Sequence, residues 1–212
     1  MPKPCMTCTK GPDGSGKNIP VSNTMEWLDI VDENGIPTGE VVSRDEAHGR
    51  GLPHRTSHVW ILRMKDGRIQ VLLQKRSDEK DSFPGCYDIS SAGHIPAGDD
   101  YIPSAVRELE EELGVRCRPE DLVYCGMRHV RFDREFHGKM FHDRQVTKVF
   151  LLWLDREEKD FVLQTEEISS VKWFDFYECI EAVRKNTIPH CIYEEELQMI
   201  ENGIKKEDQN GF

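Results

Sequence analysis

No apolar run in the 212-residue chain approaches the roughly 18–20 residues that a membrane span needs. The N-terminus also lacks the apolar stretch of a secretory signal. Basic charge is in short supply: 28 Lys and Arg stand against 39 Asp and Glu, a formal net charge of −11. A broad basic face for gripping nucleic acid or an anionic membrane is therefore not expected. A small anion remains within reach, through a local cationic cluster or a metal ion. Paired cysteines are lacking too. The seven present, Cys5, Cys8, Cys86, Cys117, Cys125, Cys179 and Cys191, are odd in number and scattered. Reduced thiols in a cytoplasm are the simplest account. Cys5 and Cys8 have the spacing of half a zinc site, but no second pair at matching spacing accompanies them. There is no internal repeat. At 37%, hydrophobic residues are somewhat sparse, which suits one buried core with polar ends.

Those ends differ from the middle. Residues 1–24 are rich in Pro, Gly and Lys and poor in large apolar side chains, so a disordered leader is expected. Met25 directly precedes the first structured pattern and is a second candidate start. Residues 204–212 are polar and are expected to fray, leaving one folded domain over 25–203. Within it, strands over 27–31 and 40–42 flank the turn Asp32–Gly35. A second hairpin, 58–64 with 69–75, turns at Asp66-Gly67. A short extended stretch follows over 87–91. Pro103 and the apolar spacing of Ala105, Val106, Leu109 and Leu113 predict a helix over 103–113, closed by Gly114. Later strands are expected over 122–130, 146–154 and 171–174, and helices over 176–185 and 194–202. Strands interleaved with three helices make an α/β or α+β sandwich.

The chemistry concentrates in residues 93–115. Glu108, Glu111 and Glu112 stand at i, i+3 and i+4, so three carboxylates share one helix face. Arg107 lies four residues before Glu111 and can pair with it. Crowded like charges destabilise a helix unless something offsets them, and a hard divalent cation such as Mg²⁺ does so through oxygen ligands. A solvated acidic face is the plainer account. On helix chemistry alone the two readings stand level.

The wider spacing resembles the Nudix box: Gly, five residues, Glu, seven residues, Arg-Glu, an aliphatic, any residue, Glu-Glu, any residue, Gly, an aliphatic. Gly93, Arg107, Glu108, Leu109, Glu111, Glu112, Gly114 and Val115 match, and Asp99 stands where the pattern has Glu. The resemblance implies an α/β/α sandwich with a mixed central sheet and a loop–helix–loop catalytic motif. It implies Mg²⁺- or Mn²⁺-dependent cleavage of a diphosphate linkage in a small molecule. Glu108, Glu111 and Glu112 become metal ligands, Arg107 orients them, and Asp99 supports the loop. A base for the attacking water comes from the box glutamates or from a later loop, where Glu166 or, by choice, Glu167 stands before Trp173.

Leu73–Ser77, Lys80, Phe83–Gly85 and Ala92–His94 look like the isopentenyl-diphosphate isomerase branch of the superfamily. Residues 88–94 with 97–99 also look like a hydrolase-type branch. This likeness runs from about 27 to 175. It implies that Arg76 and Lys80 hold the substrate diphosphate, with His94 a further substrate contact. His48, His54 and His94 partly match the isomerase's metal histidines, which raises a second metal site. The isomerase's own acid–base groups are mostly missing. Its catalytic Cys falls on Ala92, its two carboxylates on Asp143 and Gln145, and its Tyr has no clear counterpart beyond Phe132 or Phe136. Cys86 lies six residues upstream of Ala92. Protonating an alkene needs an acid beside the double bond, so hydrolysis is expected, of an isoprenoid diphosphate or a nucleoside diphosphate derivative. Isomerisation and ligand sensing without catalysis are the competing readings. The expected partner is a small molecule, without nucleic acid or membrane, and a homodimer remains open.

Overall fold

In the computed structural model, residues 25–80, 82–136 and 138–210 are described; the leader expected over 1–24, with Cys5 and Cys8, lies outside them. The chain opens on a hairpin of β1 (Trp27–Val31) and β2 (Pro37–Ser43). Asp32 Oδ1 accepts from the backbone N–H of Asn34 and Ile36 at 2.8 and 2.9 Å. An Asx-type turn of this kind reverses the chain. Helix α1 (Arg44–Arg50) follows, capped by the Ser43 hydroxyl and ended by Gly51 at φ 65°. This helix was not expected, although Ser43-x-x-Glu46 is a helix-start signal.

Strand β3 (His54–Lys65) is the centre of the sheet. One edge pairs in parallel with β8 (Lys139–Trp153) along His54–Leu62. The other edge pairs first with β6 (Ser91–His94), then with β4 (Arg68–Arg76). Outside β4 lie β5 (Tyr87–Asp88) and β9 (Ile168–Asp175), and outside β8 lies β7 (Val123–Phe136). The β7–β8 hairpin is longer than the apolar alternation predicted. Its outer half pairs Arg131 with Arg144 and Asp133 with His142, and a ribbon polar on both faces carries no period-two signal.

Period-two alternation along β3 divides two cores. Val59 and Ile61 join Leu72, Phe150 and Trp173 under α2 (Tyr101–Leu113), which contributes Ala105, Leu109 and Leu113. Trp60 and Leu62 join Val71, Leu73, Val149 and Leu151 under α3 (Phe176–Arg184) and α4 (Glu194–Asn210). The result is the α/β/α sandwich with a mixed sheet. Helix α2 starts two residues before the expected Pro103, because Asp100 Oδ1 accepts from Tyr101 N at 2.7 Å and caps it there. Helix α4 continues eight residues past the expected end at 202, as far as Asn210, with Ile204 buried. No helix among the described residues is long and apolar enough to cross a membrane.

A buried ionic knot ties α4 to the sheet. Glu196 accepts from His58 Nδ1 at 2.9 Å, Trp60 Nε1 at 3.0 Å and Arg128 Nη1 at 2.5 Å. Burial alone would raise this carboxyl, but His58 and Arg128 hold it down at about 2. The ionised side chain fixes the start of α4 beside the polar end of β3.

Candidate active site

The three box carboxylates sit at three depths. Glu112 is 7% exposed and accepts from Ser91 Oγ of β6 at 2.7 Å. Burial, against the Ser91 bond and reinforced by the charges of Glu108 and Glu167, raises it to about 8. Glu108 is half-buried. Burial raises it to about 7, with Arg107 opposing and Glu111 adding to the rise. Glu111 is exposed. The Arg107 guanidinium bridges the outer two, Nη2 to Glu108 at 2.7 Å and Nη1 to Glu111 at 2.9 Å. This all-oxygen donor set is crowded enough to hold protons near neutrality, and it fits a hard divalent cation. Asp99 is exposed in the turn before α2, where its backbone N–H donates to Pro96 O at 3.1 Å.

Gly93 allows this arrangement. A Cβ there would overlap the Glu108 carboxyl. Gly93→Ala is expected to displace Glu108 and weaken divalent-ion affinity about tenfold, as loss of a ligand's support typically does. A Mn²⁺ titration with circular dichroism checks this. Unchanged Mn²⁺ affinity in a folded variant would remove Glu108 from the metal set.

Cationic groups reach the same region from the end of β4. Arg76 donates Nη1 to Asp88 Oδ2 at 3.0 Å, Nε to Ser82 O at 3.0 Å and Nη2 to Ser82 Oγ at 3.1 Å. A guanidinium has five N–H groups, so two keep no such bond among the described residues. Lys80 forms an ion pair with Glu167. The Glu167 segment is tied on both sides: Ser77 N donates to Glu167 O at 2.9 Å, and Gln164 N donates to Glu112 O at 3.0 Å. Glu166 is exposed beside it. The roles of Asp88, Ser82 and Ser91 were not foreseen. Each is an ordinary polar residue in sequence and acquires its partner only through strand pairing.

His94 lies with His48 of α1 and His54 of β3. One ligand atom of each falls within 4.8 Å of the others. His48 Nδ1 meets Arg44 O and His54 Nδ1 meets Leu52 O, both at 2.9 Å. With Nδ1–H donating to these carbonyls, each Nε2 carries a lone pair inward. Asp143 Oδ1 lies 3.6 Å from His48 Nε2 and 3.7 Å from His54 Nε2. Among the described residues, His54 Nε2, His94 Nε2 and Asp143 Oδ1 are buried without a hydrogen bond. Burial lowers both His54 and His94, keeping the imidazoles neutral. Gln145 Nε2 donates to Asp143 Oδ2 at 2.9 Å and orients it. Neutral imidazoles with one carboxylate fit a borderline transition-metal ion.

Ala92 pairs with His58 across β6 and β3, with no acid of its own to offer. Cys86 is fully buried. Phe132 lies 6.0 Å from the Phe83 ring.

Residues 52–191 match the NUDIX domain family model. The chain is 43% identical to Nudix hydrolase 3 of Arabidopsis thaliana, covering 72% of this chain and 20% of that protein. An uncharacterized Nudix hydrolase of Clostridium acetobutylicum is 36% identical, over 68% of this chain and 66% of its own length. The chain thus spans a fifth of the first relative and just under two thirds of the second. The uncharacterized Nudix hydrolase YfcD of Escherichia coli is 30% identical, over 70% of this chain and 73% of its own length. Among solved structures, a Deinococcus radiodurans protein superposes with a TM-score of 0.59 at 18% identity, covering 82% of this chain and 98% of that one. The NUDIX domain of Shewanella oneidensis NrtR, solved with ADP-ribose, superposes with a TM-score of 0.51 at 18% identity, covering 72% and 86%.

Proposed function

This chain belongs to the NUDIX family, and from that premise we propose that it is a divalent-metal-dependent hydrolase cleaving a diphosphate linkage in a small molecule. One observation carries the reading: Glu112 is buried close to Glu108 on the acidic face of α2, and among the described residues its carboxyl accepts from the Ser91 hydroxyl and the Ala92 backbone N–H, with no cationic side chain bonded to it. That is a poor place for a lone carboxylate and a good one for a metal ligand. Mg²⁺ or Mn²⁺ held by Glu108, Glu111 and Glu112 would screen phosphate charge and acidify bound water. Arg107 keeps the two outer carboxylates aligned. The two remaining Arg76 N–H groups and the Lys80 ammonium bind phosphate oxygens. Water attacks phosphorus and passes its proton to Glu167, while the bridging P–O bond breaks and its electron pair leaves with the other phosphate. The buried Nε2 atoms of His54 and His94, without a hydrogen bond among the described residues, support a second ion at the His48–His54–His94–Asp143 cluster.

All three box glutamates are present, which favours catalysis over ligand sensing. The methyl of Ala92 cannot protonate an alkene, which favours hydrolysis over isomerisation. A panel with Mg²⁺ and with Mn²⁺ tests the assignment. It contains isopentenyl diphosphate, a longer isoprenoid diphosphate and a nucleoside diphosphate sugar, the class of ligand in the Shewanella structure. Phosphate-ester products from at least one member are expected, and no dimethylallyl diphosphate. Dimethylallyl diphosphate formed at an enzyme-like rate would overturn the hydrolase reading.

A further inference from the structure

Lys80, a phosphate ligand on the proposed reading, and Glu167, its base, are paired with each other in this structure. The pair joins the two groups of the site by chain as well as by charge. The register of β4 with β9 ends at Arg76 opposite Ile168. Beyond it, Ser77 N donates to Glu167 O at 2.9 Å, and Lys80 N donates to Ser77 O at 3.2 Å. Gln164 N, at the other end of the Glu167 segment, donates to Glu112 O at 3.0 Å. The Glu167 carboxylate is therefore held between the acidic face of α2 and the cations of the β4 end. Consistent with that placement, its charge acts on both Glu112 and Arg76.

We propose that Glu167 is a latch on Lys80: it occupies the ammonium until a diphosphate displaces it, and the same exchange frees Glu167 to accept the proton of the attacking water. The proposal rests on the hydrolase reading above and adds the order of events to it. Three features fit an exchangeable pair. Both side chains are part-exposed, 25% for Lys80 and 38% for Glu167, and pairs at such exposure are weak. A diphosphate offers more negative charge than one carboxylate, so it wins the ammonium. Lys80 is a flexible point charge, unlike Arg76, which Asp88 and Ser82 lock in place. Arg76 is thus the fixed half of the phosphate site and Lys80 the mobile half. Lys80 acts on the base as a positioning residue.

A double-mutant cycle reads this without requiring turnover. Methylenediphosphonate, a non-hydrolysable diphosphate, is titrated calorimetrically with Mg²⁺ into the full chain and its variants. Glu167→Gln is expected to tighten binding about threefold, because the competitor for Lys80 is gone. Lys80→Met is expected to weaken binding, and Glu167→Gln added to it should bring no further gain. Lys80→Arg should restore the gain. An equal gain from Glu167→Gln with and without Lys80 would mean general charge repulsion, and the latch would be wrong. No binding to the wild type would overturn the phosphate site and the latch together. Binding that follows the cycle in a protein without hydrolysis of any diphosphate would uphold the latch on Lys80 and overturn the hydrolase reading alone.

Discussion

Glu112→Gln is expected to lower turnover about 10³-fold or more while leaving the fold intact, because the change removes charge from the carboxylate most deeply set in the proposed metal site. The amide is nearly isosteric and can still accept from Ser91 Oγ, which now donates to Glu112 Oε2 at 2.7 Å. In the metal-free protein the substitution also relieves a buried carboxyl that burial has raised to about 8. Activity and melting temperature measured on one preparation separate the two effects. The expected pair of results is lost turnover with an unchanged or higher melting temperature at pH 8. Near-normal turnover would sink the metal-site assignment.

The metal-free protein is expected to lose stability as pH rises from 6.5 to 8.5, and a divalent ion is expected to reverse the trend. In the unfolded chain Glu112 ionises near its ordinary value of 4.5, whereas in the folded chain it holds its proton to about 8. Between those values the folded state binds the extra proton, so stability is fully present below 4.5 and is lost as pH climbs through 8. Glu108, raised to about 7, adds in the same direction. His54 and His94 oppose it. Burial lowers both, so they are neutral when folded and protonate on unfolding below about 6.5. The slope is therefore cleanest above that point. One and a half units of pH inside the window correspond to about 2 kcal/mol, or roughly 4–8 °C in melting temperature for a domain of this size. On the proposed metal site, Mg²⁺ would bind the ionised carboxylates, so its stabilisation should grow with pH. Thermal melts in chelator and in Mg²⁺ at pH 6.5, 7.5 and 8.5 check both signs. A flat chelator series, or one still sloping in Glu112→Gln, would assign the buried proton elsewhere.

What could be read in the sequence was local. The i, i+3, i+4 carboxylates, the apolar stripe of α2 and the Asp66-Gly67 turn depend on neighbours a few residues away, and all three stand where spacing put them. The same holds for Arg107 bridging Glu108 and Glu111. What escaped depends on partners far along the chain. Asp143, which the family likeness names but no local pattern ties to the histidines, reaches His54 across 89 positions because β8 pairs in parallel with β3. Asp88 becomes the partner of Arg76 because β5 lies against β4. Nothing in the local pattern around either residue marks it. Helix α1 was overlooked for a different reason. Its seven residues include two glutamate or aspartate, two arginine and one glycine, so no apolar period announces it, and only its caps could have. Yet α1 carries His48 to the histidine cluster, so the least legible element delivers one of its three imidazoles.

The most direct test of the account is hydrolysis in ¹⁸O-enriched water with Mg²⁺, followed by phosphorus NMR of the products from whichever panel member is turned over. Attack of water on phosphorus predicts one ¹⁸O in a single phosphate product, at a rate that collapses in Glu112→Gln. Unlabelled phosphate products, an isomer with its diphosphate whole, or labelling that proceeds undiminished in Glu112→Gln would contradict the claim that the α2 carboxylates serve the cleavage of a diphosphate linkage by water.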